Sequence, residues 1–392
     1  MKYIYKKVIQ IILIVFNTLL LSPINSQELK KDMQDDSKHS HNHEESNSNS
    51  HTHKGIIPAG LMVPHSMSVG KWMVDFQSMN MNMNQVMMGK NRVDPLQLLL
   101  VNQYNTTVVT GTSDHASHTT ASSYALTPTQ VIPVLQYNSY KYMSAPEAMF
   151  MQMNMASLMY QATEKFNIMF MLPYLSNTMR MFSSNYETSF MKTSGVGDIS
   201  VTGSYKILEG KNNLAFQFGV SLPTGSTDLE NYMPLMGKTR SPYNMQTGSG
   251  TYSAIPSISY NYLLGAWTFG SFVQGTFRSA KNDNGYKFGN IYISSIWIGR
   301  NVTQNFSIYV RGSAQKWENI TGSDPKLDYR MDPQNDPARQ GGIRYDGLIG
   351  ININLWSDLN IALEGGVPVY QHLNGPQVGT TQIFNFKLNK TL

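Results

Sequence analysis

The fold is decided by residues 197–222, which read GDISVTGSYKILEGKNNLAFQFGVSL. Apolar and polar side chains alternate on both sides of Gly210, as the series Ile199, Ser200, Val201 illustrates. A period of two is typical of a β-strand with one apolar face and one polar face. A glycine between two such runs favours a tight turn. The stretch therefore predicts an antiparallel hairpin of two amphipathic strands.

The same alternation recurs along the chain from Trp72 to its end. Turn-forming residues separate the alternating runs, and no run carries the apolar stripe of an amphipathic helix. Twelve strands are predicted, at 71–84, 147–160, 163–174, 197–208, 212–222, 253–263, 266–279, 288–300, 303–316, 343–355, 358–368 and 380–390.

The connections between the predicted strands alternate between short and long. The short ones lie near Gln161, Gly210, Leu264, Asn301 and Trp356. The long ones are 85–146, 175–196, 223–252, 280–287, 317–342 and 369–379. Outer-membrane barrels combine an even strand number with short periplasmic turns and long external loops. The pattern therefore predicts an all-β fold, a transmembrane antiparallel up-and-down β-barrel of twelve strands with both termini in the periplasm.

Two alternatives to this barrel stay open at the level of sequence. A soluble β-sandwich also alternates with a period of two, although it gives no reason for a strict alternation of loop lengths. Residues 96–109 and 130–140 would add one hairpin and make a barrel of fourteen strands.

The composition excludes several kinds of functional site. Charged residues make up only 14% of the 392 residues, and cysteine is absent. Disulfides, thiolate metal sites and cysteine nucleophiles are thereby excluded. Three of the 30 basic residues lie within residues 1–26, which hold no acid, so the rest of the chain has a nearly balanced charge. Such a balance gives no reason to expect nucleic acid as a partner.

The N-terminus has the layout of a secretory signal. Three lysines precede an apolar run that ends at Leu21, and small or polar residues follow. Residues 1–26 are therefore predicted to be a signal peptide, with a short membrane anchor as the alternative. The barrel domain is predicted to span 55–392.

Residues 27–54 are predicted to form a disordered tail, because they are polar and hold almost nothing apolar. Their imidazoles are candidate ligands for Cu(II), Zn(II) or Ni(II), and the alternative is a solvated tail that binds nothing. The candidates are His39, His41, His43, His51 and His53.

Methionines alternate with other residues on the first three predicted strands. Parity places them on the inward face, near the outer mouth of the barrel. Thioether sulfur is a soft ligand suited to Cu(I) and Ag(I), whereas methionine also packs as adaptable filler or lines a path for a hydrophobic substrate. The candidate ligands are Met79, Met81, Met83, Met149, Met151, Met153, Met155, Met169 and Met171.

Charges of both signs are predicted to line the lumen, as a polar pore requires. They are Asp75, Lys165, Asp198, Lys206, Arg278, Arg311, Arg344, Asp346, Glu364 and Lys387. No zinc-protease motif, phosphate loop or dinucleotide fingerprint occurs, and no histidine lies centrally on a predicted strand to serve a nucleophile. We predict no catalytic residue, no enzyme activity and no required cofactor, with copper ion as the one candidate.

Several short segments between residue 56 and the end of the chain share a family pattern. They are Lys71-Trp72-Met73, Met171-Leu172-Pro173-Tyr174, Gly195-Val196-Gly197-Asp198, Ser221-Leu222-Pro223-Thr224-Gly225-Ser226, Pro242-Tyr243-Asn244-Met245-Gln246, Gly248-Ser249-Gly250-Thr251-Tyr252, Asn282-Asp283-Asn284-Gly285-Tyr286 and Gln340-Gly341-Gly342. In this order they resemble the outer-membrane transporter family labelled "MetA-pathway of phenol degradation", especially a Met-rich branch. The resemblance implies a barrel transporter or channel and carries over no site residues.

The predicted function is an outer-membrane transporter or channel for a small solute, either a hydrophobic compound or a metal ion. The alternative is an outer-membrane copper-handling protein that uses the His-rich tail and the inward Met patch. In both, the partners are outer-membrane lipid and the solute, and the location is the outer membrane of a Gram-negative-type bacterium. The oligomeric state is not predicted.

Overall fold

The computed structural model describes residues 55–64, 67–99, 142–184, 186–233, 237–356 and 358–392. Its strands are β1 (Trp72–Gly89), β2 (Asn91–Val93), β3 (Ser144–Gln161), β4 (Phe166–Ser183), β5 (Thr188–Val196), β6 (Ser200–Leu208), β7 (Asn212–Ser221), β8 (Glu230–Met233), β9 (Gly237–Arg240), β10 (Ser253–Leu264), β11 (Trp267–Arg278), β12 (Tyr286–Lys287), β13 (Ile291–Asn301), β14 (Phe306–Trp317), β15 (Thr321–Gly322), β16 (Gly342–Trp356) and β17 (Leu359–Thr391). The helices are α1 (Pro95–Leu99) and three 3-10 turns, Tyr243–Met245, Pro333–Asn335 and Pro337–Arg339.

Eleven of these strands form a closed antiparallel ring. Its order is β1-β3-β4-β6-β7-β10-β11-β13-β14-β16-β17, and β17 pairs with β1 to close it. The short strand β2 pairs with β1, and β5 pairs with the second half of β4. Closure removes the free sheet edges that would otherwise expose unpaired backbone groups. The predicted all-β barrel is confirmed.

The last strand supplies two walls of the barrel. Residues 359–373 of β17 pair with β16, whereas residues 377–391 pair with β1. The two parts lie beside each other, because the Asn385 amide donates to Glu364 at 2.7 Å and the Gln371 amide donates to the Thr380 carbonyl at 2.7 Å. The two strands predicted at 358–368 and 380–390 are therefore joined in one folded-back element, and the predicted loop 369–379 lies within it.

A second predicted loop is also largely strand. Residues 175–196 were expected to form a long connection, but β4 continues to Ser183 and pairs with β5. The alternation of apolar and polar residues does not stop at the membrane boundary, so the hairpin extends beyond it. Of the segment 96–109, only 96–99 is described, and it lies in α1.

The two faces of the barrel follow from residue parity. On β1, Trp72, Val74 and Phe76 point outward and are exposed, whereas Met73 and Asp75 point inward with 4% and 5% of their surface exposed. The outward set continues around the ring with Phe170, Phe216, Ile258, Ile296 and Phe384. A continuous exposed apolar belt of this kind is the surface that a barrel presents to lipid.

The two ends of the barrel differ in their connections. We call one the turn end, because it carries the short turns between paired strands and the start of β1 beside the last residue, where Leu392 N–H donates to the Trp72 carbonyl. We call the other the loop end, because it carries the long connections. Among the described residues, no helix is long and apolar enough to cross a membrane.

Candidate functional site

Residues 55–64 lie inside the lumen at the turn end. We call them the inner segment. Ile56, Ala59, Leu61 and Val63 are each at most 4% exposed. Leu61 and Val63 pack against the inward side chains of Phe272 and Trp297. The lumen at this end is therefore filled by the chain's own backbone.

Inward polar side chains satisfy the backbone of the inner segment. The Ala59 N–H donates to the Tyr309 hydroxyl at 2.8 Å, and the Gln77 amide donates to the Ala59 carbonyl at 2.8 Å. The Trp297 indole donates to the Ile56 carbonyl at 2.9 Å, and Asn352 donates to the Ile57 carbonyl at 3.0 Å. Irregular backbone at membrane depth is tolerated where it is buried in protein, and these bonds satisfy its polar groups there.

Two ion pairs flank the inner segment. Arg311 donates to both oxygens of the Glu364 carboxylate at 2.9 and 2.6 Å, and it donates to Ser295 at 3.1 Å. Lys387 lies 3.4 Å from the Asp75 carboxylate and donates to the Leu61 carbonyl at 3.1 Å. All four charged groups are buried, so each pair compensates the cost of removing its charges from water.

A glycine lets the inner segment pass close to the first of these pairs. A Cβ atom at Gly60 would lie 2.6 Å from an Arg311 nitrogen and 2.8 Å from a Glu364 oxygen. No side chain larger than hydrogen fits there unless the ion pair moves. The inner segment therefore touches the ion pair directly.

Methionines fill the lumen beside the inner segment at the turn end. Met73, Met159 and Met169 are buried in one cross-strand row, because Met73 pairs with Met159 and Met159 pairs with Met169. Met171 joins the same cluster, and Met62 of the inner segment packs against it. We call this the inner methionine cluster.

A second methionine row lies at the loop end. The register pairs Met83 with Met149, Met149 with Met179 and Met179 with Met191, so that β1, β3, β4 and β5 each contribute one thioether. Met149, Met179 and Met191 are at most 3% exposed. Met181 and Met245 are buried in the same cluster, with Met83 and Met151 packed against it. We call these residues the outer methionine cluster.

Two amide side chains cap the outer methionine cluster. The Gln334 amide donates to the Met179 sulfur at 2.9 Å and lies 4.0 Å from the Met181 sulfur. The Asn244 amide nitrogen donates to Gln334 and lies 4.0 Å from the Met149 sulfur. Both amides come from long connections, so residues of these connections lie over the sulfur atoms.

The cap is held by a buried carboxyl group. Asp332 accepts a hydrogen bond from the Gln334 backbone N–H at 2.9 Å, which begins the 3-10 turn Pro333–Asn335. The neighbouring Met331 carbonyl accepts bonds from the backbone of Met143 and Ser144. Asp332 is 2% exposed, and burial raises its pKa to about 7.

The structure places the predicted methionines on the inward parity of β1, β3 and β4. Met149 lies in the outer cluster, with Met83 and Met151 against it, and Met169 and Met171 lie in the inner cluster, with Met155 against it. Between the clusters, the register pairs Met79 with Met153 and Met81 with Met151. The nine predicted residues therefore do not form one patch, but two clusters joined by a ladder.

Several buried methionines and both amides escaped prediction. Met179 and Met181 were assigned to a loop, although they continue the spacing of Met169 and Met171. That continuing period of two was the signal that marked them as strand residues. Asn244, Gln334 and Met245 have no such signal, because they reach the cluster from long connections.

The predicted lumen charges are distributed unevenly. Asp75, Arg311, Glu364 and Lys387 surround the inner segment as described above. Lys206 is buried at the turn end beside Glu209 at 2.9 Å. Arg344 pairs with Asp346 at 2.9 Å and also donates to Thr380 at 2.8 Å.

Lys165 needs correction, and two further predicted lumen charges lie at the ends of strands. Lys165 is exposed in the turn before β4, because that strand begins at Phe166, three residues later than expected. Asp198 precedes β6 and accepts bonds from the backbones of Gly225 and Ser249 at 3.0 and 2.8 Å, so it joins two connections. Arg278 ends β11, donates to the Gly289 carbonyl and lies 5.6 Å above the Phe288 ring.

The predicted signal peptide and the five histidines of the tail lie outside the described residues. Within the described ranges, no group of three or more His, Cys, Asp or Glu side chains is arranged to hold a metal ion.

The sequence matches one family model. The model is described as "Putative MetA-pathway of phenol degradation", and it matches residues 152–346 of the 392. The resemblance is confirmed. A search of curated proteins found no match.

Solved structures similar to this chain are outer-membrane barrels. An outer membrane channel from Pseudomonas putida F1 is 12% identical with a TM-score of 0.53, covering 86% of this chain and 100% of that chain. The β domain of the Bordetella autotransporter BrkA is 8% identical with a TM-score of 0.40, covering 83% of this chain and 100% of that chain. The P. putida toluene transporter TodX is 8% identical with a TM-score of 0.39, covering 83% of this chain and 90% of that chain. The first likeness agrees with the fold, and the apolar belt places the barrel in an outer membrane.

Proposed function

We propose that the chain is an outer-membrane channel for a small solute, closed at its periplasmic end by the inner segment. The observation that carries this proposal is the way the segment is held. Its backbone is bonded to side chains such as Tyr309, Gln77 and Trp297, which would line a polar passage if the segment left. In this orientation the turn end and both termini face the periplasm, as in barrels with short periplasmic turns.

A closed resting channel fits the balance of forces at the segment. Its backbone hydrogen bonds each contribute only about 0.5–1.5 kcal/mol net, because water replaces them when the segment leaves. The ion pair of Arg311 and Glu364 stays with the wall and keeps its charges compensated. Movement of the segment therefore opens a polar path without leaving a charge unpaired.

The channel hypothesis is preferred to catalysis. The buried charged groups around the inner segment are paired with one another, and a catalytic acid or base needs to reach a substrate. The similarity to a barrel titled an outer membrane channel supports the same hypothesis. No cofactor is needed for passive passage of a solute.

The test is conductance in planar bilayers. Full-length protein is compared with a variant that lacks residues 55–64. Folding of both is checked by electrophoresis, in which a folded barrel migrates differently before and after heating. The variant should conduct continuously and the full-length protein only in brief events. If the folded variant does not conduct, the channel proposal is wrong. A variant with Tyr309→Phe and Gln77→Leu weakens the hold on the segment and serves if the deletion does not fold.

A second candidate function is the capture of a soft metal ion such as copper. The cross-strand row of Met83, Met149, Met179 and Met191 favours it, because thioethers suit Cu(I). The His-rich tail at 27–54 would add imidazoles on the periplasmic side. Copper tolerance of cells with and without the chain, together with metal titration of the purified protein, tests this function separately from conductance.

A further inference from the structure

The outer methionine cluster combines three features that a purely apolar core does not need. It holds a row of thioethers from four neighbouring strands, two amides directed at their sulfur atoms, and a buried amide oxygen without a partner.

The spacing of the row allows its sulfur atoms to reach one point. Residues opposite each other on antiparallel strands have Cβ atoms about 4.5–5.5 Å apart. Met149, Met179 and Met191 occupy three successive positions of such a row, all on the inward parity. Methionine has three rotatable bonds beyond its backbone, so adjacent thioethers can turn toward a shared centre.

Five of the six buried members of the outer methionine cluster are methionines, and the sixth is Val378. Leucine and isoleucine fill a core with better-defined rotamers, and methionine specifies packing poorly. The four buried members of the inner methionine cluster are also methionines, so composition does not separate the two clusters. The polar contacts of the sulfur atoms separate them.

The sulfur lone pairs already have polar partners. The Gln334 amide lies 2.9 Å from the Met179 sulfur, whereas none of the described hydrogen bonds reaches a sulfur atom of the inner methionine cluster. An N–H that donates to sulfur occupies the position that a cation would take. The Met179 sulfur thus presents a lone pair toward the cap.

An unsatisfied acceptor lies beside the row. The side-chain oxygen of Asn244 is buried and has no hydrogen-bond partner among the described residues, while its nitrogen is 4.0 Å from the Met149 sulfur. A buried acceptor without a donor costs about 1–3 kcal/mol. A bound cation would satisfy it.

We propose that the outer methionine cluster binds one soft monovalent metal ion, Cu(I) being the physiological example, through the thioethers of Met149, Met179 and Met191 beneath the cap of Asn244 and Gln334. This inference rests on the second candidate function and gives it a site. The site is neutral and built of sulfur, so it discriminates against Na⁺ and K⁺, which prefer oxygen ligands. Entry requires that Gln334 swings away from Met179.

The test is a competition for Cu(I) against a chromophoric Cu(I) chelator, under a reductant, with the full-length protein in detergent. The triple variant Met149→Leu, Met179→Leu, Met191→Leu keeps apolar bulk and removes the proposed ligands. The matched control is Met73→Leu, Met159→Leu, Met169→Leu, which changes the same number of buried methionines in the inner cluster. All three proteins keep residues 27–54, so any binding by the tail is common to them.

We expect wild type and control to bind one Cu(I) more tightly than the outer triple variant. The loss should be at least as large as the roughly 10-fold to 100-fold effect of removing a group that only supports a metal ligand. Equal affinity in the three proteins, or equal loss in both triple variants, would overturn the site. A binding failure with normal conductance leaves the channel proposal intact, because the two readouts are independent.

Discussion

Side chains of the same inward parity fill the lumen at both ends, but they are charged and polar at one end and apolar at the other. At the turn end, the ion pair of Arg311 and Glu364 and the hydroxyl of Tyr309 hold the inner segment in one position. At the loop end, flexible thioethers such as Met179 pack beneath the Gln334 amide. The difference shows that a single strand pattern supports both a segment held by polar contacts and a cluster of flexible apolar side chains. Substitutions at the two ends should therefore differ strongly in cost.

The largest effect is expected for Arg311→Leu at the turn end. Removing one partner of a buried pair leaves the Glu364 carboxylate uncompensated, which costs about 3–5 kcal/mol of unfolding free energy. Urea unfolding of the purified barrel measures this cost. The double variant Arg311→Leu, Glu364→Leu should recover most of the loss. A single variant as stable as the double variant would contradict the role of the ion pair.

The next effect concerns the pH dependence of the cap at the loop end. Burial raises the pKa of Asp332 from its ordinary value of 3.8 to about 7, so the folded cap binds the proton more tightly than the open cap. The cap is therefore most stable below about pH 4, and it loses stability as the pH rises to 7, by up to a few kcal/mol at 1.36 kcal/mol per pKa unit. Hydrogen exchange of residues 328–341 across this range measures the change.

Asp332→Asn keeps an acceptor for the Gln334 N–H and removes the titrating proton. Its exchange rates should show no added opening between about pH 4 and pH 7 beyond the intrinsic rise. If the variant retains the full pH dependence of the wild type, another group is responsible.

A smaller effect is expected for Tyr309→Phe. The Ala59 N–H then loses its acceptor, and a buried donor without a partner costs about 1–3 kcal/mol. The inner segment should leave more often, which raises the frequency of conductance events. Tyr345→Phe, on the exposed outward face, is the control and should leave that frequency unchanged. Equal behaviour of the two variants would break the link between Tyr309 and closure.

The smallest effect on stability is expected for single leucine substitutions in the methionine clusters. Met149→Leu and Met159→Leu should each cost less than about 1.5 kcal/mol, because the volume of the side chain is nearly conserved. Thermal unfolding measures this. A loss of stability greater than that of Arg311→Leu at either position would contradict the contrast between the ion pair and the methionine clusters.

The strand pattern was predictable because parity is a local property. Alternation alone assigned the predicted methionines of β1 to the inward face, and the structure places them there, opposite the exposed Trp72, Val74 and Phe76. The assignment failed where β4 runs on to Ser183, because alternation does not mark the membrane boundary. It failed for Lys165 because the start of a strand is set by its partner's register.

The contents of the lumen were less predictable. Nothing in residues 55–64 distinguishes a segment inside a barrel from the start of one, since the decisive contacts come from Tyr309 and Trp297, more than 200 residues away. The division of the methionines into two clusters likewise depends on register across β1, β3 and β4. Asn244 and Gln334 reach the outer row through irregular loops, for which a periodic pattern carries no information.

The inner segment is proposed to close the channel, and a cross-link tests this directly. The chain has no cysteine, so Ala59→Cys and Gln77→Cys introduce the only two thiols, at positions joined by a hydrogen bond of 2.8 Å in the closed state. Single-channel conductance is recorded before and after these thiols are joined by a short reducible cross-linker. We expect conductance events to cease when the link forms, to return when it is reduced, and to persist in each single-cysteine variant. Unchanged conductance through the linked protein would contradict it.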